Sequence, residues 1–294
     1  MNERQDLADT IVSLKHEFPA ARHLVVDNVS TSDTLGRLER EGIETIRERR
    51  RGTALALLAA LPAIESELVI LILSPEMASP DVARGLVEIQ ERQQADFVVV
   101  VRCGPEGFPV PGLETGSRIY GWAVQAVFGQ APRDYYGGVY LLSRFAYQNI
   151  PILNRGYDLE LELVVQVLDK GFRLAEVSCP MPDTSAVPAR RSTWSDRFRA
   201  LVYGVKLLQD YNPMRFYGSL AGIALLMGLL VGSIPIYEFI NFGVVRRLSM
   251  PGLAVGLVVV SAIALQVGLM LRTSMRARRE TYQTHLRRLS EAKK

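Results

Sequence analysis

The sequence predicts an α/β fold in which a mostly parallel sheet is flanked by helices, followed by an amphipathic interface helix and two transmembrane helices. Three observations predict this class. Residues 68–73 are six consecutive apolar residues, which is typical of a strand that is buried on both faces of a parallel sheet. Similar short apolar runs alternate with helical patterns, as in βαβ units. Residues 216–237 and 248–271 carry no charge, and each stretch exceeds the roughly 20 residues needed to cross a bilayer core.

The first half of the chain alternates between helical patterns and short apolar runs. Ser79, Pro80 and Asp81 give the clearest helix start, a capping residue followed by proline at the first helical position. We expect strands at residues 23–27, 43–46, 68–73 and 96–102, and helices at 7–18, 53–61 and 80–94. Ser32 or Asp33 could cap a further helix after the first strand.

The second half continues this alternation. Gly and Pro are frequent at residues 104–116, which indicates a mobile loop near the edge of the sheet. Gly171 closes a helix predicted at residues 156–170, on which Asp158, Glu160 and Glu162 are rotated by about 200° from one to the next and cannot share one face. The remaining elements are a helix at residues 119–128, strands at 139–143 and 172–179, and a Pro-rich loop at 180–188.

The last third of the chain has the composition of a membrane anchor. Apolar residues at 195–211 fall on one helical stripe, which favours a helix in the membrane interface; a soluble amphipathic helix packed on the domain is the alternative. Glycines in both apolar stretches predict close packing between the two spans. They are Gly218, Gly222, Gly228 and Gly232 in the first, and Gly252, Gly256 and Gly268 in the second. The predicted domains are therefore 1–194, 195–213, 214–272 and 273–294.

The charges predict how the chain lies in the membrane. Eight basic residues follow the second span against Glu280 and Glu291: Arg272, Arg276, Arg278, Arg279, Arg287, Arg288, Lys293 and Lys294. Such a tail suits anionic lipid better than nucleic acid. It outweighs Arg246 and Arg247 between the spans, so we expect a two-pass integral membrane protein with both termini cytoplasmic. The two cysteines and three histidines form no metal or redox motif.

A basic turn, residues 47–51, stands between a short strand and a helix. A turn with arginines between a strand and a helix is suited to bind a phosphate or nucleotide. The alternative interpretation of this turn is a charged surface that only water contacts. The turn at residues 74–76, Ser-Pro-Glu, follows the buried strand at 68–73, and ligands of open α/β sheets bind at this carboxyl edge.

Several motifs occur in a familiar order and spacing. They are Val-Asp-Asn-Val-Ser-Thr at 26–31, Arg-Gly-Thr-Ala-Leu at 51–55, Asp-Tyr-Tyr-Gly-Gly at 134–138 and Gly-Tyr-Asp-Leu-Glu-Leu-Glu at 156–162. From about Asn2 to Arg279 the chain thereby resembles family-2 glycosyltransferases of the polyprenyl-phosphate type, such as dolichol-phosphate mannose synthases and bactoprenol-phosphate glucosyltransferases. The resemblance implies a GT-A, Rossmann-like nucleotide-binding domain, and transfer of a sugar from a nucleotide-sugar to a polyprenyl or dolichyl phosphate at the cytoplasmic face.

The resemblance also implies residue roles. Asp27 and Asn28 would hold the base or ribose, and Arg51 and Arg102 the rest of the nucleotide. Asp134 would be the catalytic base at the acceptor, and Arg190 and Arg191 would bind the lipid phosphate. Magnesium or manganese is the expected cofactor if the protein is active, with Glu76 as its remaining ligand, or none if it is not.

Two departures from the family keep a second hypothesis open. Ser74-Pro75-Glu76 stands where the family has Asp-x-Asp, so a lone carboxylate is left for the cation. The family's first strand has no counterpart before Asn2, so we expect either a start further upstream or a sheet rebuilt without that strand. The alternative is a catalytically inactive pseudo-glycosyltransferase, a binding or scaffolding subunit that forms a homo-oligomer or joins a partner transferase. A lipid-binding or transport accessory role is a third reading.

Overall fold

The computed structural model describes residues 3–28, 34–104, 114–152, 159–180, 194–245 and 247–291. The chain divides into two compact units, Met1–Ala200 and Leu201–Lys294. The first unit contains all six described strands, and the second contains the two long apolar helices.

The elements of the first unit alternate as the sequence predicts. The strands are β1 (Leu24–Asp27), β2 (Glu44–Arg47), β3 (Leu68–Ile72), β4 (Phe97–Cys103), β5 (Val139–Ser143) and β6 (Leu174–Pro180). The helices are α1 (Glu3–Glu17), α2 (Thr34–Arg40), α3 (Thr53–Ala60), α4 (Pro80–Gln93), α5 (Glu114–Phe128), α6 (Arg144–Asn149) and α7 (Leu159–Lys170), and α8 (Trp194–Tyr211) includes the boundary between the two units. Short 3-10 helices occur at Leu61–Ala63 and Pro75–Met77.

The main sheet has four strands in the order β3-β5-β4-β6. β4 and β6 are parallel, whereas β5 lies antiparallel to both β3 and β4. Three of the four strands therefore share one direction, which confirms a mostly parallel sheet with one reversed strand. β1 and β2 are parallel and form a separate two-stranded sheet, and neither pairs with another described strand.

β4 lies at the centre of the core. Its residues are buried except Arg102, which is half-buried. Val98 and Val100 pack with Leu86 of α4 and Leu141 of β5 in one apolar cluster, while Phe97 stacks on Tyr140 with ring centroids 5.6 Å apart. A strand buried on both faces explains why the sequence shows a continuous apolar run here instead of alternation.

Helix boundaries follow local capping chemistry in two places. Ser79 caps α4, since its side chain accepts a hydrogen bond from the Val82 N–H at 3.3 Å. Gly171, with φ +72°, ends α7, and β6 begins two residues later than predicted.

The loop predicted at residues 104–116 is described only in part. α5 begins at Glu114, so the end of that loop is helical. Residues 105–113 lie outside the described part, as do Ser32 and Asp33, the predicted helix caps.

The second unit is a pair of long helices, α9 (Pro213–Phe242) and α10 (Ser249–Glu291). Both contain a stretch long and apolar enough to cross a membrane. The helices pack along their length, and the Ser261 hydroxyl donates a 2.8 Å hydrogen bond to the carbonyl oxygen of Ala221. A helical hairpin is thus the structure of the two apolar stretches.

The predicted close packing of the two helices is confirmed at three of the seven glycines. A Cβ on Gly228, Gly232 or Gly268 would lie 3.0 to 3.3 Å from atoms of the facing helix. The other four have nothing within 4 Å: Gly218, Gly222, Gly252 and Gly256. The prediction is wrong for these four because the helical repeat turns them away from the helix–helix contact.

Candidate functional site

The loop before β5, residues 133–138, contacts three neighbouring strands. Arg133 binds Glu176 of β6, donating from its backbone N–H at 2.8 Å and from Nε at 2.6 Å. Asp134 binds Arg102 of β4, and Gly138 lies against Ser74 at the end of β3. The loop therefore joins the edge at which the sequence predicts the catalytic and metal residues.

Asp134 and Arg102, which the sequence assigns to separate ligands, are partners of each other. The Asp134 carboxylate accepts hydrogen bonds from Nε, Nη2 and the backbone N–H of Arg102 at 2.8, 3.1 and 3.2 Å, and from the Tyr136 N–H at 2.9 Å. The exposed fractions of the two side chains are 3% for Asp134 and 14% for Arg102. Four donors use most of what a carboxylate can accept, so a proton could be taken by Asp134 only after Arg102 moves.

Gly137 and Gly138 are required by the close approach of this loop to the strands. A Cβ on Gly137 would lie 1.9 Å from the carbonyl oxygen of Val100, and one on Gly138 would lie 2.3 Å from Cβ of Ser74. The backbone N–H groups of Leu73 and Ser74 both donate to the Gly138 carbonyl, at 2.7 and 3.1 Å. The position that would hold the first aspartate of an Asp-x-Asp motif is thus packed against backbone.

Glu76, the predicted metal ligand, lies exposed on the 3-10 helix that follows β3. In the described part of the chain, no three His, Cys, Asp or Glu side chains come together as a metal site would require. Magnesium at a nucleotide is held by one or two carboxylates together with substrate phosphates, so Glu76 could contribute one protein ligand to such a cation. The described residues thus offer no cation site built from three or more His, Cys, Asp or Glu side chains.

A second candidate site lies where β1 and β2 end. Asp27 is the last residue of β1; its side chain is buried and its carbonyl accepts from the Glu48 N–H at 2.9 Å. Asp27 pairs in register with Arg47, the last residue of β2. The side-chain oxygen of Asn28 is buried and meets no hydrogen-bond donor of a described residue. The strand end thus presents a buried acceptor that a ligand could satisfy.

The basic turn after β2 adds positive charge at the same edge. Arg50 donates to Glu48 from Nε and Nη2, each at 3.0 Å, and these bonds lower the pKa of Glu48 to about 2. Arg49 and Arg51 are exposed, and their guanidinium groups bind no other described residue. α3 starts directly after Gly52 with no side-chain cap, so the free N–H groups of its first turn add partial positive charge.

Some predicted residues cannot be placed, and some contacts were not predicted. Arg190 and Arg191, the predicted lipid-phosphate ligands, lie outside the described residues.

The sequence does not predict the contact between Arg133 and Glu176. A glutamate inside the apolar strand β6 is nevertheless a signal for a buried or paired charge. Tyr140 also donates a 2.9 Å hydrogen bond to the carbonyl of Tyr135, and burial raises the pKa of both phenols.

The chain was compared with family models, curated proteins and solved structures. No family model matches the chain. An uncharacterized protein of Shigella flexneri is 28% identical over 144 residues, which are 49% of this chain and 88% of that protein. The structure of TarS residues 1–349 of S. aureus is 13% identical, with a TM-score of 0.41 over 97% of this chain and 87% of that one.

Glucosyl-3-phosphoglycerate synthase of Mycobacterium tuberculosis, crystallised with phosphoglyceric acid, superposes with a TM-score of 0.53. The two are 20% identical, and the match covers 71% of this chain and 76% of that one. At this identity the likeness bears on the fold alone. The first unit therefore has a GT-A-like glycosyltransferase fold.

Proposed function

We propose that this protein is a membrane-bound glycosyltransferase that moves a sugar from a nucleotide-sugar to a polyprenyl phosphate at the cytoplasmic face of a bilayer. The observation that carries the proposal is the basic edge at the ends of β1 and β2, in a unit of glycosyltransferase fold that two apolar helices follow. Open α/β sheets bind their ligands at this edge, and arginines suit phosphate groups.

Each predicted residue has a role in this proposal. Asp27 and Asn28 hold the base or ribose at the end of β1, because the buried side-chain oxygen of Asn28 meets no donor of a described residue and needs one such as a ligand hydroxyl or N–H group. Arg51 binds the diphosphate. Asp134 accepts a proton from the acceptor once Arg102 releases it, and Arg102 then pairs with phosphate.

The acceptor assignment depends on the membrane features. Two helices suited to span a bilayer follow the α/β unit along the chain, and Phe198 and Leu201 of α8 are exposed apolar residues suited to the interface. Arg190 and Arg191 precede α8 and bind the lipid phosphate in this proposal. The charge bias of the basic tail supports termini on the cytoplasmic side, where nucleotide-sugars are found.

A transfer assay tests the proposal. The full chain, purified in detergent, is incubated with labelled UDP-glucose or GDP-mannose, polyprenyl phosphate and either manganese or magnesium, and lipid-linked sugar is measured. The proposal predicts product with at least one donor. Asp134→Asn should then abolish turnover, and Glu76→Gln should do so if Glu76 binds a metal. Absence of product with every donor, while the nucleotide is still bound, contradicts transfer.

The second candidate function is a non-catalytic binding or scaffolding subunit. Two observations favour it: the hydrogen bonding of Asp134 by Arg102 and Tyr136, and the lack of a cluster of three His, Cys, Asp or Glu side chains in the described part of the chain. This subunit would bind a nucleotide-sugar without turnover and would join a partner transferase or a second copy of itself. Isothermal titration, combined with the transfer assay, separates the two functions. Nucleotide binding in the titration without any product in the assay supports the non-catalytic subunit.

A further inference from the structure

We infer that the diphosphate of the nucleotide is bound without a divalent cation, by the guanidinium groups of Arg49 and Arg51 together with the amino end of α3. This inference rests on the proposed function, since it concerns the nucleotide site that both candidate functions share. It replaces the expected metal by fixed charges of the protein.

The first step is the count of charges at the edge. Among the described residues, three guanidinium groups there have no protein partner, those of Arg47, Arg49 and Arg51, whereas Arg50 is paired with Glu48. The diphosphate bridge of a nucleotide-sugar carries one negative charge on each phosphate. Of these, Arg49 and Arg51 are nearest to α3 along the chain. Together they carry two positive charges, the charge that a divalent cation supplies elsewhere, and each can bind a phosphate through two parallel hydrogen bonds.

The second step is the backbone geometry. Gly52 has φ +137°, a conformation that residues with a side chain rarely adopt, and no side chain caps α3. The N–H groups of Leu55 and Ala56 donate to the Gly52 carbonyl, but the earlier N–H groups of the turn remain available. With no Cβ at Gly52, a phosphate oxygen can approach this backbone closely.

The third step is an independent observation at the neighbouring strand. Asn28 follows Asp27 at the end of β1, and its side-chain oxygen is buried with no donor from a described residue. An unsatisfied buried acceptor costs free energy, which a donor on the sugar or base of a bound nucleotide would remove. Because β1 and β2 are paired in parallel and both end at this edge, the acceptor after β1 and the positive charges after β2 follow neighbouring strand ends.

The fourth step is the absence of an alternative source of charge. Ser74 is packed against Gly138, and no three His, Cys, Asp or Glu side chains of the described residues come together as a metal site. A cation at a nucleotide is held by protein carboxylates together with the phosphates, so the protein's share would be small here. In the described part of the chain, the exposed arginines after β2 are a source of fixed positive charge for a diphosphate.

Isothermal titration of the full chain in detergent tests the inference. UDP, GDP and inorganic pyrophosphate are titrated in EDTA and, separately, in manganese, with uridine as the phosphate-free probe. We expect at least one diphosphate to bind in EDTA, with an affinity within about twofold of that in manganese, and no binding of uridine. Raising the salt concentration should weaken binding steeply, because the contacts are ionic.

Matched variants assign the binding to the two arginines. Arg49→Gln and Arg51→Gln should each weaken the binding of the diphosphate in EDTA by about tenfold, and Arg51→Lys should recover part of the loss because it keeps the charge. Arg92→Gln removes an exposed arginine from α4 and is the control, with unchanged affinity. Circular dichroism verifies that each variant is folded.

The outcomes separate the inference from the proposed function. Diphosphate binding that requires manganese, or that persists in both arginine variants, overturns the inference and leaves the proposed function standing. If no diphosphate binds in either condition, the nucleotide site itself is wrong and both fall. Binding in EDTA that the arginine variants weaken and Arg92→Gln leaves unchanged supports both.

Discussion

Two charged turns of the α/β unit differ in what their charges contact. In the loop at residues 133–138, Asp134 is buried and hydrogen-bonded to Arg102, while in the turn at 47–52 the guanidiniums of Arg49 and Arg51 are exposed and bind no other described residue. Charges satisfied inside the protein hold the fold together, whereas unsatisfied charges at a strand end are available to a ligand. By this difference in pairing, Asp134 and Arg102 are distinguished from Arg51, although the family resemblance places all three in one active site.

The largest effect should come from the buried pair. Asp134→Asn leaves the Arg102 guanidinium largely buried without its carboxylate, and we expect a loss of about 3 to 5 kcal/mol in the free energy of unfolding. Urea denaturation of the purified protein in detergent measures it. The double variant Arg102→Met/Asp134→Leu, which removes both charges, should recover much of the loss. Unchanged stability of the Asp134→Asn protein would contradict the stabilising role of this pair, whether or not activity is lost.

The next effect concerns Gly138. Gly138 and Gly171 both have φ +72°, but only Gly138 has a neighbour where a Cβ would lie. Both alanine variants adopt a strained backbone, which costs about 1 to 2 kcal/mol. Gly138→Ala also overlaps Ser74, which adds about 1 to 3 kcal/mol. Equal destabilisation of the two variants, measured by the same denaturation experiment, would contradict the close approach of this loop to β3.

A smaller effect should follow from releasing Arg50. Glu48→Gln removes the carboxylate that holds Arg50, so an additional guanidinium becomes available and diphosphate affinity should rise by about two- to fivefold, the equivalent of an exposed ion pair. Titration calorimetry with the same diphosphate measures the change. Weaker binding in this variant would mean that Glu48 positions the turn.

The pH dependence follows from the same pair. Because the folded pKa of Glu48 is lowered to about 2, its pairing with Arg50 is complete above the ordinary value of 4.5 and is lost as the pH falls toward 2. Between pH 5 and pH 8, ionisation of Glu48 should therefore change neither Arg50 nor the affinity. Titrations at both ends of this range measure it, and a change that Glu48→Gln abolishes would contradict the lowered pKa.

The smallest effect is expected at the rim of the loop. The Arg133 side chain is 54% exposed where it binds Glu176. Solvent screens such a pair, and Arg133→Gln should cost only about 0.5 kcal/mol. A loss as large as that of Asp134→Asn, in the same denaturation experiment, would show that the whole loop depends on both contacts.

The sequence predicts elements better than it predicts contacts. Local signals, such as the cap at Ser79 and the apolar run of β3, depend on neighbouring residues and are confirmed. The pairing of Arg102 with Asp134 joins residues 32 positions apart through the antiparallel placement of β5 beside β4, which no local pattern encodes. In the hairpin, likewise, glycine spacing identifies helices that pack but not which glycines face the partner, because that depends on the rotation of each helix.

The length of α10 determines how far its basic tail would extend from the lipid in the proposed membrane-bound protein. The helix runs unbroken from Ser249 to Glu291, so the backbone at residue 287 lies about 24 Å along the axis from residue 271, where the apolar stretch ends. Ionic attraction to headgroups decays over about 8 Å at physiological salt. In the proposed membrane-bound protein, with the axis near the bilayer normal, Arg272 and Arg276 would therefore supply most of the attraction of this helix to an anionic surface.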